Sequence, residues 1–167
     1  MGAGKTTIGR FLAAELLLPF IDTDEAIEQR CGADIPWIFD VEGEAGFRDR
    51  EHKVLQELCQ SSDAVIATGG GIVIREDNRS IIESSGVVVY LHATIEQQLM
   101  RTGKDRKRPL LNNDDPRAVL TALMQAREPL YRQLADVVVN TDSRNPRVTA
   151  NLALKQLQPL LNGAASS

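Results

Sequence analysis

The sequence predicts an α/β fold of three layers, a parallel sheet covered by helices on both faces. Three observations carry that reading. Short segments that are apolar throughout alternate with stretches of helical periodicity, the pattern of strands buried on both sides. Glycines stand before the first helical stretch and again after an apolar strand. The 167 residues suffice for one domain with a single core.

Composition narrows the class further. Hydrophobic residues make up 43% and charged residues 25%, as in ordinary globular proteins, so disorder, collagen and coiled coil are excluded for the whole chain. The net charge of −4 argues against a non-specific nucleic-acid binder. Cys31 and Cys59 lack metal-ligand spacing and read as reduced thiols. No apolar run reaches the roughly 18–20 residues of a membrane span. The polar N-terminus is unlike a secretory signal, so a cytoplasmic location is expected.

The first element is a helix starting near Lys5, with Ile8, Phe11, Leu12 and Leu16 on one face and Pro19 ending it. Gly4-Lys5-Thr6 supplies the second half of the phosphate-loop pattern G-x-x-x-x-G-K-[ST]; its first glycine would fall two residues before Met1. A helix N-terminus preceded by glycines offers unpaired N–H groups at the positive end of a dipole, an anion site. In that reading Lys5 reaches the β- and γ-phosphates and the Thr6 hydroxyl ligates Mg²⁺.

Phe20-Ile21-Asp22 reads as a strand, followed by a helix around Ile27 that stops at Gly32. Residues 44–59 predict another helix. Strands are expected at 64–67, 87–91 and 137–139, and helices near 78–84, 95–101, 118–134 and 148–161. No internal repeat appears. Residues 102–116 carry a basic cluster, two prolines and two asparagines; they read as a mobile lid. Residues 163–167 read as a flexible tail after one domain at 1–162.

Several polar groups fall where strands end, the place ligands bind in open α/β sheets. Asp22 and Asp24 suit a Mg²⁺ ion held through water and a hydroxyl proton acceptor, although one of them also suits a helix cap. Arg48 and Glu51 share a helix face, and the Arg48 guanidinium suits an anionic substrate; Arg50 suits a surface ion pair. Gly69, Gly70 and Gly71 exceed what a tight turn needs and allow close backbone approach to a ligand. Pro129 is expected to bend or start a helix, and Arg127 taken alone reads as a surface arginine. His52 and His92 read as structural, Trp37 and Phe39 as packing residues.

Together these segments resemble shikimate kinases: MGAGKTTIGR at the start, D-T-D at 22–24, E-G-E-A-G-F-R-D-R-E at 42–51, A-T-G-G-G at 67–71, K-R-P-L-L at 107–111 and R-E-P-L-Y at 127–131. The resemblance covers nearly the whole chain, in order. It implies a P-loop kinase fold like that of nucleoside-monophosphate kinases, with five parallel strands and a mobile lid. It implies transfer of the ATP γ-phosphoryl group to the 3-hydroxyl of shikimate, in aromatic amino-acid biosynthesis, by a monomer.

By resemblance, Gly2, Ala3, Gly4, Lys5, Thr6 and Thr7 hold the phosphates, and Thr6 and Asp22 hold Mg²⁺. Asp24 binds the shikimate hydroxyls and is the base. Arg48, Arg127 and the Gly69, Gly70 and Gly71 backbone bind the substrate. Arg108 on the lid contacts the transferred phosphoryl group, while Arg101, Arg144 and Pro146 flank the adenine. Members of the family carry a central strand ending in Gly-Pro before this Met. Its absence here predicts a gap in the sheet, poor stability and weak nucleotide binding. Two rivals stand beside this reading: a gluconate or nucleotide kinase of the same fold, and a nucleotide-binding module without turnover.

Overall fold

Helix α1 (Lys5–Leu16) starts directly after Gly4, whose φ of 79° is the left-handed conformation that glycine adopts without a Cβ penalty. It closes before Pro19. Leu17 N–H bonds the Ala14 carbonyl and Leu18 N–H bonds Ala13, with Leu17 itself left-handed, so the last turn satisfies its own carbonyls. The computed structural model describes residues 2–61, 63–102, 115–141 and 145–164.

Strand β1 (Phe20–Asp22) leads straight into α2 (Thr23–Cys31), which Gly32 terminates at φ 65° as expected. Helix α3 (Ile35–Ser61) begins nine residues earlier than the sequence pattern indicated. The Asp34 carboxylate caps it by accepting the Trp37 N–H at 2.9 Å, and Gly43 breaks it at φ 71°, ψ 179°. Strand β2 (Val65–Ala67) is followed by a short 3₁₀ turn at Ile72–Ile74 and by α4 (Glu76–Ser85).

Strand β3 (Val89–His92) sits slightly later than the apolar run at 87–91. The Val88 N–H leaves the ladder to bond the Asp136 carboxylate at 2.7 Å. Helix α5 (Ile95–Thr102), helix α6 (Pro116–Leu134), strand β4 (Val137–Asn140) and helix α7 (Pro146–Ala164) complete the order. Asp115 caps α6 on the Ala118 N–H, with Pro116 in the first turn, which moves its start ahead of 118. Helix α6 runs through Pro129, so no new helix starts there, and one backbone donor is lost. Helix α7 extends two residues into the stretch read as a tail.

The strands form two parallel pairs. β1 lies beside β2 with Phe20 opposite Val65, and β3 beside β4 with Val89 opposite Val137. Alternate residues face opposite layers, as a two-residue strand period demands. Val65, Val89 and Leu91 pack with α1 and α7 around Ile8, Leu12, Ala153 and Leu157. On the other face, Ile21 and Ile66 meet α2 and α3 around Ile27, Ile38 and Phe47, while Val88 meets Leu55, Ile72 and Leu134.

Both pairs run the same way. Thr6 bonds Asp22 at the carboxyl end of β1, and Arg101 ties the Gly2 carbonyl to Thr141 just past β4. All four carboxyl ends therefore converge on the N-terminal loop. The expected gap in the sheet is present between β2 and β3, among the described residues. Trp37, expected in packing, is 52% exposed, whereas Phe39 packs against Phe47 with tilted rings whose centroids lie 4.8 Å apart.

Candidate phosphate and acceptor site

The site lies on the carboxyl ends of the strands, where residues of the N-terminal loop meet those after β1 and β2. The Thr6 hydroxyl donates to Asp22 Oδ2 at 2.8 Å, and Asp22 Oδ1 accepts the Asp24 N–H at 3.0 Å. One carboxylate thus caps α2 and reaches the first turn of α1. The cap is Asp22, so capping gives no account of Asp24. A hydroxyl and a carboxylate this close are hard oxygen donors of the kind Mg²⁺ takes beside phosphates and waters.

The three glycines each meet a different functional group. A Cβ on Gly69 would lie 2.7 Å from Glu51 Oε1 and 3.0 Å from Asp24 Oδ1. A Cβ on Gly70 would lie 3.1 Å from the Tyr131 hydroxyl, and one on Gly71 would overlap the Arg48 guanidinium. Close approach of backbone to side chain is thus the reason for all three. The Thr23 hydroxyl, fully buried, accepts the Gly69 N–H at 3.1 Å, and the Tyr131 hydroxyl donates to the Gly70 carbonyl at 2.5 Å.

Glu51 is 0% exposed and its Oε2 accepts from Arg48 Nη1 at 2.7 Å. Burial pushes its carboxyl above the ordinary value, Arg48 pulls it back, and the Asp24 charge pushes it up again. Glu44 holds the far side of the Arg48 guanidinium at 3.0 Å. Arg127 is 8% exposed, which corrects its reading as a surface arginine: four residues before Tyr131 on α6, it shares a helix face with that ring. Burial pushes the Tyr131 phenol up, and Arg127 opposes the shift. The Tyr131 ring stacks on Tyr90 with centroids 5.1 Å apart.

The sequence-predicted residues Asp24, Arg48, Gly69, Gly70, Gly71 and Arg127 are therefore one cluster, joined to Thr6 and Asp22 through the turn into α2. Arg101 lies beside the phosphate loop, its guanidinium on the Gly2 carbonyl and the Thr141 hydroxyl at 2.9 and 3.0 Å. Pro146 is the first residue of α7. Arg108, Arg144 and most of the expected lid lie outside the described residues. Arg50 pairs with Glu42 at 2.6 Å, as a surface ion pair should. His52 and His92 bond Asn78 and Asn140, in keeping with structural roles. Both cysteines are free.

Two members of the cluster escaped the sequence reading. Glu51 counted only as a neighbour of Arg48; its i, i+3 spacing was the available signal, but nothing local marks it as buried. Tyr131 closes the R-E-P-L-Y motif four residues after Arg127, a spacing that places both on one helix face. No helix among the described residues is long and apolar enough to cross a membrane.

A sequence model described as shikimate kinase matches residues 1–158. A shikimate kinase of Pseudomonas paraeruginosa is 59% identical over 160 residues, covering 96% of this chain and 93% of that protein. One from Hahella chejuensis is 55% identical over 158 residues, covering 95% and 82%. Among solved structures, the shikimate kinase from Acinetobacter baumannii in complex with shikimate aligns with a TM-score of 0.91 at 47% identity, covering 98% of this chain and 89% of that one. The enzyme from Aquifex aeolicus aligns with a TM-score of 0.83 at 34% identity, covering 95% and 92%. These likenesses favour the shikimate reading over gluconate, nucleotide or non-catalytic rivals. The chain belongs to the shikimate kinase family.

Proposed function

We infer that this protein transfers the γ-phosphoryl group of ATP to the 3-hydroxyl of shikimate, giving shikimate 3-phosphate and ADP. The observation that carries the reading is the convergence of Arg48, Arg127, Asp24 and the three glycines in one cluster beside the phosphate loop. A small polyol with one carboxylate calls for this combination. Arginines take the carboxylate through paired donors, a short acid takes the hydroxyls, and glycines let the backbone close on the ring.

Asp24 is proposed to bind the reacting hydroxyl and accept its proton as the new P–O bond forms and the bond to the leaving ADP oxygen breaks. Lys5 and the N–H groups of Gly2 to Thr7 hold the phosphates at the start of α1, where the helix dipole favours anions. Thr6 and Asp22 are the residues that would hold Mg²⁺, and the ion when bound neutralises charge on the phosphates. Arg108 is assigned to the transferred group, and Arg101, Arg144 and Pro146 to the adenine end. Phosphoryl transfer needs positioning and positive charge more than covalent help, and these groups supply both. We further propose that the protein acts in the cytoplasm as a monomer without nucleic-acid or membrane partners, in line with its net acidic charge.

The test is ADP release by the purified chain with Mg-ATP and, in turn, shikimate, gluconate, adenosine monophosphate or no acceptor. Release with shikimate alone is expected. Equal release with gluconate or the nucleotide would overturn the reading.

A further inference from the structure

In the turn after β2, successive carbonyls are held by near neighbours, with one exception. The Gly69 and Gly71 carbonyls accept the Ile72 and Ile74 N–H groups at 3.3 and 3.0 Å. The Ile72 carbonyl accepts from the buried Asn78 Nδ2 at 3.0 Å, and Arg79 Nη1 donates to the Val73 and Ile74 carbonyls at 2.9 and 3.0 Å. All of these donors lie within residues 72–79. The Gly70 carbonyl is the exception: its donor is the Tyr131 hydroxyl on α6, at 2.5 Å and 61 residues away in sequence.

That bond falls at the softest point of the turn. The peptide unit between Gly70 and Gly71 has a glycine on each side, so no Cβ opposes its rotation. In a planar trans unit the carbonyl and the N–H point in opposite directions. A donor fixed on the Gly70 oxygen therefore fixes the direction of the Gly71 N–H. Gly71 is also the glycine whose Cβ would overlap the Arg48 guanidinium, so this N–H belongs to the residue that adjoins the cation assigned to the substrate carboxylate.

Packing does not call for the hydroxyl. The Tyr131 ring stacks on Tyr90 with centroids 5.1 Å apart and joins the apolar cluster of Leu55, Ile72, Val73 and Leu134. A phenylalanine ring would fill the same place. The hydroxyl instead adds a polar group that burial tolerates only when it is bonded, and the glycine turn is its partner. Burial raises the phenol, Arg127 and Arg48 oppose the rise, and Glu51 adds to it, so the hydroxyl lies within the field of the acceptor cluster.

We propose that Tyr131 is a positioning residue for the acceptor: its hydroxyl locks the Gly70–Gly71 peptide so that the Gly71 N–H is presented to the substrate beside Arg48. The proposal rests on the shikimate reading above. Tyr131 acts through the backbone. Because it shares α6 with Arg127, one helix sets both a side-chain donor and a main-chain donor for the same ligand. Without the hydroxyl the peptide rotates between orientations, and apparent affinity falls with the competent fraction.

The test compares the wild-type protein with Tyr131→Phe, which keeps the ring and its stack on Tyr90. A donor that serves ground state and transition state alike moves KM and leaves kcat in place. With Mg-ATP, the KM for shikimate should rise about tenfold, while kcat and the KM for ATP stay within about twofold. Calorimetric titration with shikimate alone should show the same weakening, and the circular dichroism spectrum should stay native. An unchanged shikimate KM would overturn the proposal and leave the hydroxyl a packing group. An equal rise in both KM values would overturn it too, by making Tyr131 a general brace of the fold. A wild-type protein that releases no ADP with shikimate but does so with another acceptor would overturn the shikimate reading and this assignment with it, so the two failures are distinguishable.

Discussion

Glu51 and Arg48 meet in the acceptor pocket, one Glu51 oxygen 2.7 Å from Arg48 Nη1, the other with no hydrogen-bond partner among the described residues and facing Gly69 and Asp24. The glutamate is fully buried, the arginine nearly so. A single buried carboxylate thus orients the cation that we assign to the shikimate carboxylate and also abuts the proposed base.

Replacing Glu51 by Gln keeps the volume but leaves Arg48 without its buried ionic partner, with only the half-exposed Glu44 carboxylate remaining. Breaking a buried pair from one side costs about 3–5 kcal/mol in general, and Gln, which retains an acceptor, should fall toward the lower end. Thermal denaturation should show that loss. Steady-state kinetics should show the KM for shikimate raised tenfold or more with the KM for ATP little changed. An unchanged shikimate KM would remove Glu51 from the role of positioning Arg48.

The Glu51 carboxyl also gives stability a pH dependence. Burial raises it above its ordinary 4.5, so between that value and its folded value the native state holds more protons than the unfolded chain. Its contribution to stability therefore falls as pH rises through that window, and is most favourable below it. Unfolding midpoints taken from about pH 4.5 upward should show a declining component in the native protein. The same component should be absent from E51Q. Parallel pH profiles in the two proteins would contradict the assignment.

Gly71→Ala places a methyl group onto the Arg48 guanidinium. Overpacking of this kind costs about 1–3 kcal/mol, and here the guanidinium must move. Shikimate binding should weaken at least tenfold while the circular dichroism spectrum stays native. Wild-type affinity in the variant would show that Arg48 has room to shift without consequence.

Asp24→Asn tests the proposed base. The cap on α2 belongs to Asp22, so the helix should persist. ATP binding should stay within about twofold, and phosphorylation should fall by roughly two to four orders of magnitude, the usual worth of a positioned base. Normal turnover would falsify the base assignment.

Arg108→Ala tests the assignment of the lid arginine. Loss of one preorganised donor to a transition state costs about 3–4 kcal/mol, a hundredfold or more in turnover. A near-normal rate would place Arg108 outside the reaction.

Much of the fold was legible because its signals are local. Gly4 and Gly32 bracket helices at positive φ, and the valine runs mark strands, although β4 buries only Val137 and Val139 and leaves Val138 exposed, which corrects the expectation of burial on both faces there. Element ends were less legible, since caps such as Asp34 and Asp115 lie outside the apolar pattern. Within the site, Lys5, Thr6, Asp22 and the glycines announced themselves by motif, and Arg48 and Arg127 by resemblance. The burial of Glu51 and the bond from Tyr131 to Gly70 did not, because each depends on a residue distant in sequence.

By itself the sequence determined the alternation of strand and helix, the anion-binding start of α1 and the residue types of an acceptor pocket. These follow from periodicity, from glycine conformation and from side-chain chemistry, all of which act within a few residues. Only the tertiary structure decided that Gly69, Gly70 and Gly71 answer to Glu51, Tyr131 and Arg48 in turn, and that Arg127 is buried. Such facts depend on contacts between segments tens of residues apart, which packing of the helical layers brings together and local propensity does not encode.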